Sequence, residues 1–120
     1  MRRRAGALAL LLLALALTAS RASAIEASPS EILSDPDRFD GKIVTLSGTV
    51  THLKSRVSQR GNAYSTFDLS DGRRAITVFA FGESPCANGR RARVEGLFQK
   101  VKRQGRYTFS HQVDATSTVC

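Results

Sequence analysis

From Lys42 onward the chain alternates apolar and polar side chains with a period of two, the mark of strands buried on one face. Val44, Leu46 and Val50 share one face with Gly48, while Thr45, Ser47, Thr49 and Thr51 share the other, which predicts a long first strand from about Lys42 to Arg56. A glycine in the middle of such a strand lets the backbone coil sharply, so that one strand serves both halves of a curved sheet. A second strand is predicted over Ala63–Ser70, anchored by Phe67 and Leu69, and Asp71-Gly72 is a strong hairpin turn into a third, Arg74–Phe81. The near-continuous apolarity of that third strand asks either for cover on both faces or for an exposed aromatic platform. A fourth strand follows over Arg90–Val101 and a fifth from Arg106 to about Thr116, with Phe109 and Val113 inward and Lys102–Gly105 as the loop between them.

Upstream, Ser28-Pro29-Ser30-Glu31 opens a short helix: Ser28 caps it, Pro29 fits its first position, and Glu31 completes a capping box. Asp35-Pro36 ends that helix, and one further turn brings Phe39 to plug an end of the sheet. Five strands in this order, the first long and bent, predict an all-β domain: a five-stranded Greek-key barrel of the OB type behind a short N-terminal helix. Closure is expected through the fifth strand on the first. Glu83–Gly89, where many such barrels insert a helix, is long enough only for a turn.

Residues 1–24 have the layout of a cleavable signal peptide rather than of a folded element. Arg2, Arg3 and Arg4 precede an apolar run from Ala5 to Leu17, and Ala22-Ser23-Ala24 places small residues before a cleavage point. The run is shorter than the roughly 20 residues of a spanning helix. The expected organisation is therefore 1–24 signal, 25–40 an acidic helical lead-in, and 41–120 the barrel, in a periplasmic or secreted bacterial protein.

Setting the signal aside sharpens the charge pattern. The whole chain has 18 Lys and Arg against 10 Asp and Glu, but residues 41–120 hold 13 of those bases and only 5 of the acids. The other acids, Glu26, Glu31, Asp35, Asp37 and Asp40, crowd the lead-in. A basic barrel behind an acidic segment points to an anionic partner. Two loops of an OB barrel flank its binding face. Here the first carries Lys54, Arg56 and Arg60, and the second Lys100, Lys102, Arg103 and Arg106. Tyr64 and Tyr107 stand beside them, with Phe79 or Phe81 facing outward between. Cations that track a phosphate backbone, interleaved with rings that stack bases, are the requirements of single-strand binding.

The two cysteines, Cys86 and Cys120, are expected to join in an oxidising compartment, tying the C-terminus to the loop after the third strand. No Gly-rich phosphate loop, Ser/His/Asp set or Cys-x-x-Cys motif is present, and no metal site or cofactor is expected. His52 and His111 lie on the first and fifth strands, whose pairing would bring the rings near one another, though each reads first as a wall residue. Asp68 is accounted for by strand alternation and Asp71 by its turn.

Residues 41–116 resemble the OB-fold nucleic-acid-binding domains of the tRNA anticodon-binding and helicase type, also found in exonuclease large subunits. Val44-Thr-Leu-Ser-Gly-Thr-Val50, Ala63-Tyr-Ser-Thr-Phe-Asp-Leu-Ser-Asp-Gly72 and Ala75-Ile-Thr-Val-Phe79 carry the likeness. It implies a nucleic-acid-binding face, and the signal marks the chain as an exported version. Staphylococcal-type nucleases share the barrel, but their acidic calcium cluster has no counterpart here. An exported haem chaperone of the same barrel class would need a histidine near its C-terminal end, for which His111 is the only candidate. The sequence thus leads to a monomeric, non-enzymatic exported module for single-stranded nucleic acid. The alternative is an adaptor for another protein of the bacterial envelope.

Overall fold

The computed structural model describes residues 23–120, so all but the end of the signal-like segment lies outside the described residues. The elements are β1 (Ile25–Glu26), α1 (Pro29–Ser34), α2 (Pro36–Phe39), β2 (Ile43–Val57), β3 (Ala63–Ser70), β4 (Ala75–Phe81), β5 (Arg91–Gln104) and β6 (Tyr107–Val119). The capping box forms as the sequence predicts: Ser28 Oγ accepts the Glu31 N–H at 3.1 Å, and Glu31 Oε1 accepts the Ser28 N–H at 3.2 Å. The β3–β4 turn adds a second cap. Asp71 Oδ1 accepts the N–H groups of Arg73 and Arg74, and its Oδ2 accepts that of Ser30 in the first turn of α1. These N–H donors, Arg74 foremost, hold the Asp71 carboxyl well below the usual carboxylate range. Asp71 therefore does more than make its turn; it fastens the lead-in to the sheet.

All six strands belong to one mixed sheet in the order β1-β2-β3-β4-β6-β5, and a further pairing of β2 with β5 brings its two ends together. Closure differs from the expected first-with-fifth pairing. The first half of β2 runs antiparallel to β5 (Ile43↔Leu97 through Thr49↔Arg91), while β6 lies between β4 and β5 and runs parallel to β4. The expected five strands become six because residues 25–26 add a short parallel strand beside Val44 and Thr45, while the break at Asp35-Pro36 and the further turn over Pro36–Phe39 fall where the sequence predicts them.

Inside the curl, Val44, Leu46, Val50, Phe67 and Val113 are buried, with Ile32 from α1 and Phe39 from α2 sealing the core. Burying a side chain the size of Phe39 is worth about 3–5 kcal/mol by the usual cost of truncation. Gly48 lies where β2 passes from its pairing with β5, which ends at Thr49, to its pairing with β3, which begins there, as the sequence predicts, and a steric reason adds to it. A Cβ there would overlap the Ser70 carbonyl oxygen and stand 3.0 Å from the Leu69 side chain, so glycine permits the close approach of β3. The irregularity in β2 falls later, between Thr51 and Lys54, where His52 takes a left-handed φ of 53°. Phe109 also departs from expectation: it is 41% exposed, because β5 and β6 run on past the core as a two-stranded arm that carries it outside. Cys86 and Cys120 are disulfide-bonded, with Cα atoms 5.5 Å apart, and link the β4–β5 connection to the end of the chain.

Candidate functional site

On β4 the inward side chains are Ile76 and Val78, so alternation sends Thr77, Phe79 and Phe81 to the outer face. The apolar third strand of the sequence is thus an aromatic platform rather than a strand covered twice. Cross-strand partners share a face, and the register sets the platform in rows: Arg56, Tyr64 and Phe81 in one, Lys54, Thr66 and Phe79 in the next, Thr51, Asp68 and Thr77 in the third. Tyr64 stacks on Phe79 with centroids 5.5 Å apart, and Phe81 meets Phe79 edge-on at 5.1 Å. Phe79 is thereby fixed from two sides, and Phe81, 79% exposed, is the ring open to a partner.

Two arms flank these rows. In the first, β2 and β3 continue to Val57↔Ala63 and are joined by a tight turn in which the Ser58 N–H donates to the Asn62 carbonyl at 2.8 Å. Lys54 and Arg56 therefore lie on a strand, and of the first cluster only Arg60 is in a loop. In the second arm β5 and β6 pair as far as Gln104↔Tyr107, leaving Gly105 and Arg106 as the turn. Lys100, Lys102 and Arg103 are strand residues, as is Tyr107, which is 62% exposed with Arg106 over its ring. The two-residue Gly105-Arg106 turn closes one continuous hairpin over the stretch Lys102–Gly105 that the sequence predicts as a loop.

The second arm folds back over the platform. Lys102 pairs across the strands with Phe109, yet its Nζ lies 3.0 Å from Asp114 Oδ1 and 4.3 Å from the centre of the Phe79 ring. The curl follows a second left-handed residue, His111, also at φ 53°. Gln112 Nε2 donates to the same Asp114 oxygen at 3.0 Å. Lys100 faces elsewhere. Its Nζ donates to Asp37 Oδ1 at 2.7 Å and its N–H to Asp40 Oδ1, so α2 occupies it; the Asp37 hydrogen bond and then its charge raise the ammonium above its ordinary pKa.

The histidines do not meet. His111 stacks on Phe98 with centroids 6.4 Å apart, whereas His52 projects from its irregularity, 77% exposed, with Nδ1 3.1 Å from Asp68 Oδ2. Two open depressions mark the face. One of about 310 Å³ lies among Phe79, Phe81, Lys102, Arg103, Gln104 and Asp114, and one of about 370 Å³ among His52, Lys54, Thr66, Asp68 and Thr77. Among the described residues no three His, Cys, Asp or Glu side chains converge as a cation site. Lys54, Arg56, Arg60, Arg103 and Arg106 make no ion pair among the described residues, while Lys100 and Lys102 each make one. A face with exposed rings, shallow hollows and unpaired cations on either side can stack flat groups and hold anions. Of the two rings the sequence offers, Phe81 is the exposed one, and the residues outside the sequence-derived set are Gln104 and Asp114. Strict alternation from Ile76 signals Phe81; alternation from the inward Val113 sends Asp114 outward, but only the parallel pairing of β6 with β4 sets it opposite Phe79.

No protein-family model and no curated protein matches the chain. Among solved structures it is similar to a chain assigned as an aspartyl-tRNA synthetase from Leishmania major Friedlin, at 17% identity and TM-score 0.56, over 84% of this chain and 21% of that one. It is also similar to RecG in a complex with a three-way DNA junction, at 16% identity and TM-score 0.49, over 78% of this chain and 13% of that one. The chain thus spans about a fifth of the synthetase or less of either protein's length, and the likeness to the synthetase is one of fold.

Proposed function

We propose that the protein is an exported, non-catalytic OB-type module that binds single-stranded nucleic acid on the outer face of β2, β3 and β4, as a monomer. One observation carries the reading: the exposed Phe81 ring, buttressed by Phe79 and Tyr64, stands between two arms bearing unpaired cations. Rings of this kind stack bases without regard to sequence, and the arms supply phosphate contacts. The mixed sheet whose two ends meet through β2 and β5, and the fold shared with a protein named as an aspartyl-tRNA synthetase, support the assignment. Export is supported by the signal-like residues 1–24 and by a disulfide, a bond that persists in oxidising compartments.

The test is titration of labelled single-stranded and duplex oligonucleotides across ionic strength. Single strands should bind more tightly than duplex, with affinity falling by about 0.7 log units per log unit of salt for each phosphate neutralised. Phe81→Ala should weaken binding roughly tenfold with the salt slope unchanged, since a stacked base is worth about 1–3 kcal/mol. No binding at low salt overturns the reading, and cell fractionation tests the address. A second reading, an adaptor for an envelope protein, draws on the apolar side chains exposed along the arms, Val57, Val101, Tyr107 and Phe109. It predicts a specific partner in envelope extracts whose capture survives Phe81→Ala but not changes at those four positions.

A further inference from the structure

A carboxylate beside the rings of a polyanion's binding face has the wrong sign for phosphate, and Asp114, opposite Phe79 across the β4–β6 pair, is in that position. It lines the same depression as Phe81, Arg103 and Gln104, and it is partly buried. Its surroundings fix it. Lys102 Nζ and Gln112 Nε2 both donate to Oδ1 at 3.0 Å, and Lys102 is itself held over the Phe79 ring with its side chain only 14% exposed. The Lys102 charge is thus spent inside the protein, and Oδ2 is the acceptor that remains for whatever enters the hollow.

Phosphate is disfavoured there and is better received by the cations of the arms, which have no internal partner among the described residues. The group that fits is flat, uncharged and a hydrogen-bond donor along its edge. A nucleobase stacked on Phe81 is flat, and the exocyclic amino groups of cytosine, adenine and guanine are such donors; thymine and uracil present only carbonyl oxygens and a ring N–H at the corresponding edge. Acceptance of the cytosine amino group by a carboxylate is an established pairing in base recognition.

We propose that Asp114 is a specificity-determining residue that reads an exocyclic amino group on the base stacked against Phe81, giving the protein a preference for amino-bearing bases over thymine. The proposal rests on the nucleic-acid reading above and adds base selection to it. Lys102 and Gln112 are positioning residues that act through Asp114 by holding its Oδ1. The strand then lies with bases toward the hollow and phosphates toward Arg56, Arg60, Arg103 and Arg106.

Oligo(dC) and oligo(dT) of equal length make the test, because two pyrimidines stack over similar area and differ at the edge that Asp114 faces. At neutral pH the full chain should bind oligo(dC) at least about fivefold more tightly than oligo(dT), the lower bound for discrimination by a good base contact. Asp114→Asn keeps an oxygen for Lys102 and Gln112 and turns the other atom into a donor, so the preference should invert toward oligo(dT). A role confined to holding the arm would weaken both ligands alike and leave their ratio unmoved. Asp114→Ala, with folding checked by its melting curve, should bring the ratio to about one. Equal affinities in the unaltered protein, or a ratio unchanged by both substitutions, overturn the proposal. Failure to bind either oligonucleotide counts instead against the binding function itself.

Discussion

The two arms begin alike and end in different states. Each is bordered by a histidine at φ 53°, His52 before the first arm and His111 after the second, each is a two-stranded extension of the sheet, and each carries a basic cluster legible in the sequence. The β2–β3 arm keeps Lys54, Arg56 and Arg60 unpaired among the described residues. The β5–β6 arm folds over the platform, and two of its four cations are committed, Lys102 to Asp114 and Lys100 to Asp37. Counting lysines and arginines treats the clusters as equivalent. What separates them is which acids the fold brings to each cation, Asp114 from the facing strand β6 and Asp37 from the lead-in, so charge available to a ligand is a property of the fold and not of the segment.

The sharpest way to break this comparison is at the anchor that only one arm has. The disulfide holds the end of β6 against the β4–β5 connection, and its 34-residue separation corresponds to about 3–4 kcal/mol in the chain-entropy account. Reduction, or paired Cys86→Ser and Cys120→Ser, should lower Tm by 10 °C or more, taking about 4–8 °C per kcal/mol for a domain of this size. Amide exchange should rise in β6 and its arm before the β2–β3 hairpin. Uniform acceleration across both arms would show that they do not differ in anchorage.

Asp71→Ala separates the arms from the lead-in. Losing three N–H partners, one in the first turn of α1, should cost on the order of 1–2 kcal/mol, with faster exchange in α1 and neither arm affected. Its pH dependence has a definite sign. The folded carboxyl titrates below its unfolded value, so the stabilisation is complete above the ordinary Asp range near 4 and is lost only as pH falls toward the depressed folded value. Melting curves from neutral to strongly acid pH should show the Asp71→Ala deficit shrinking at the acid end.

Smaller effects compare the cations one by one. Arg56→Gln should reduce the salt slope of binding by about 0.7, the share of one neutralised phosphate on a single strand. Lys102→Gln should reduce it by clearly less, since its charge is already matched by Asp114. Equal decrements would abolish the distinction between free and committed cations. Lys100→Ala, remote from the face and held by Asp37, should leave both affinity and slope unchanged.

Much of this architecture is written locally. Alternation along Val44–Val50 and Phe67–Leu69, the Asp71-Gly72 turn and the Ser28–Glu31 capping box each depend on a few neighbouring residues, and each appears where the sequence predicts it. The pairing of Cys86 with Cys120 follows from there being only two cysteines. Closure of the sheet does not: whether β5 or β6 meets β2 depends on contacts about fifty residues apart that leave no period in the sequence. The same limit explains the arms. Lys102–Gly105 looks like a loop because it is polar, but a strand that projects from the core has no apolar face to announce it. Phe109, which the sequence places inward with Val113, is exposed because it lies on that projecting arm.

The acidic lead-in has a consequence for how the protein meets a partner. β1 lies beside Val44 and Thr45, near the start of β2, and Glu26 there pairs with Arg93, while Asp37 and Asp40 hold Lys100. The unpaired cations Lys54 and Arg56 sit near the other end of that same strand. The acids of the lead-in and the unpaired cations of the first arm thus lie toward opposite ends of β2. In the field of an approaching polyanion the molecule experiences a torque as well as an attraction, and turns its cationic end forward before contact. Such steering raises the fraction of collisions that begin in a productive orientation. If the proposed polyanion is the ligand, neutralising Glu26, Asp37 and Asp40 should change the association rate more than the dissociation rate, a difference that stopped-flow binding would read.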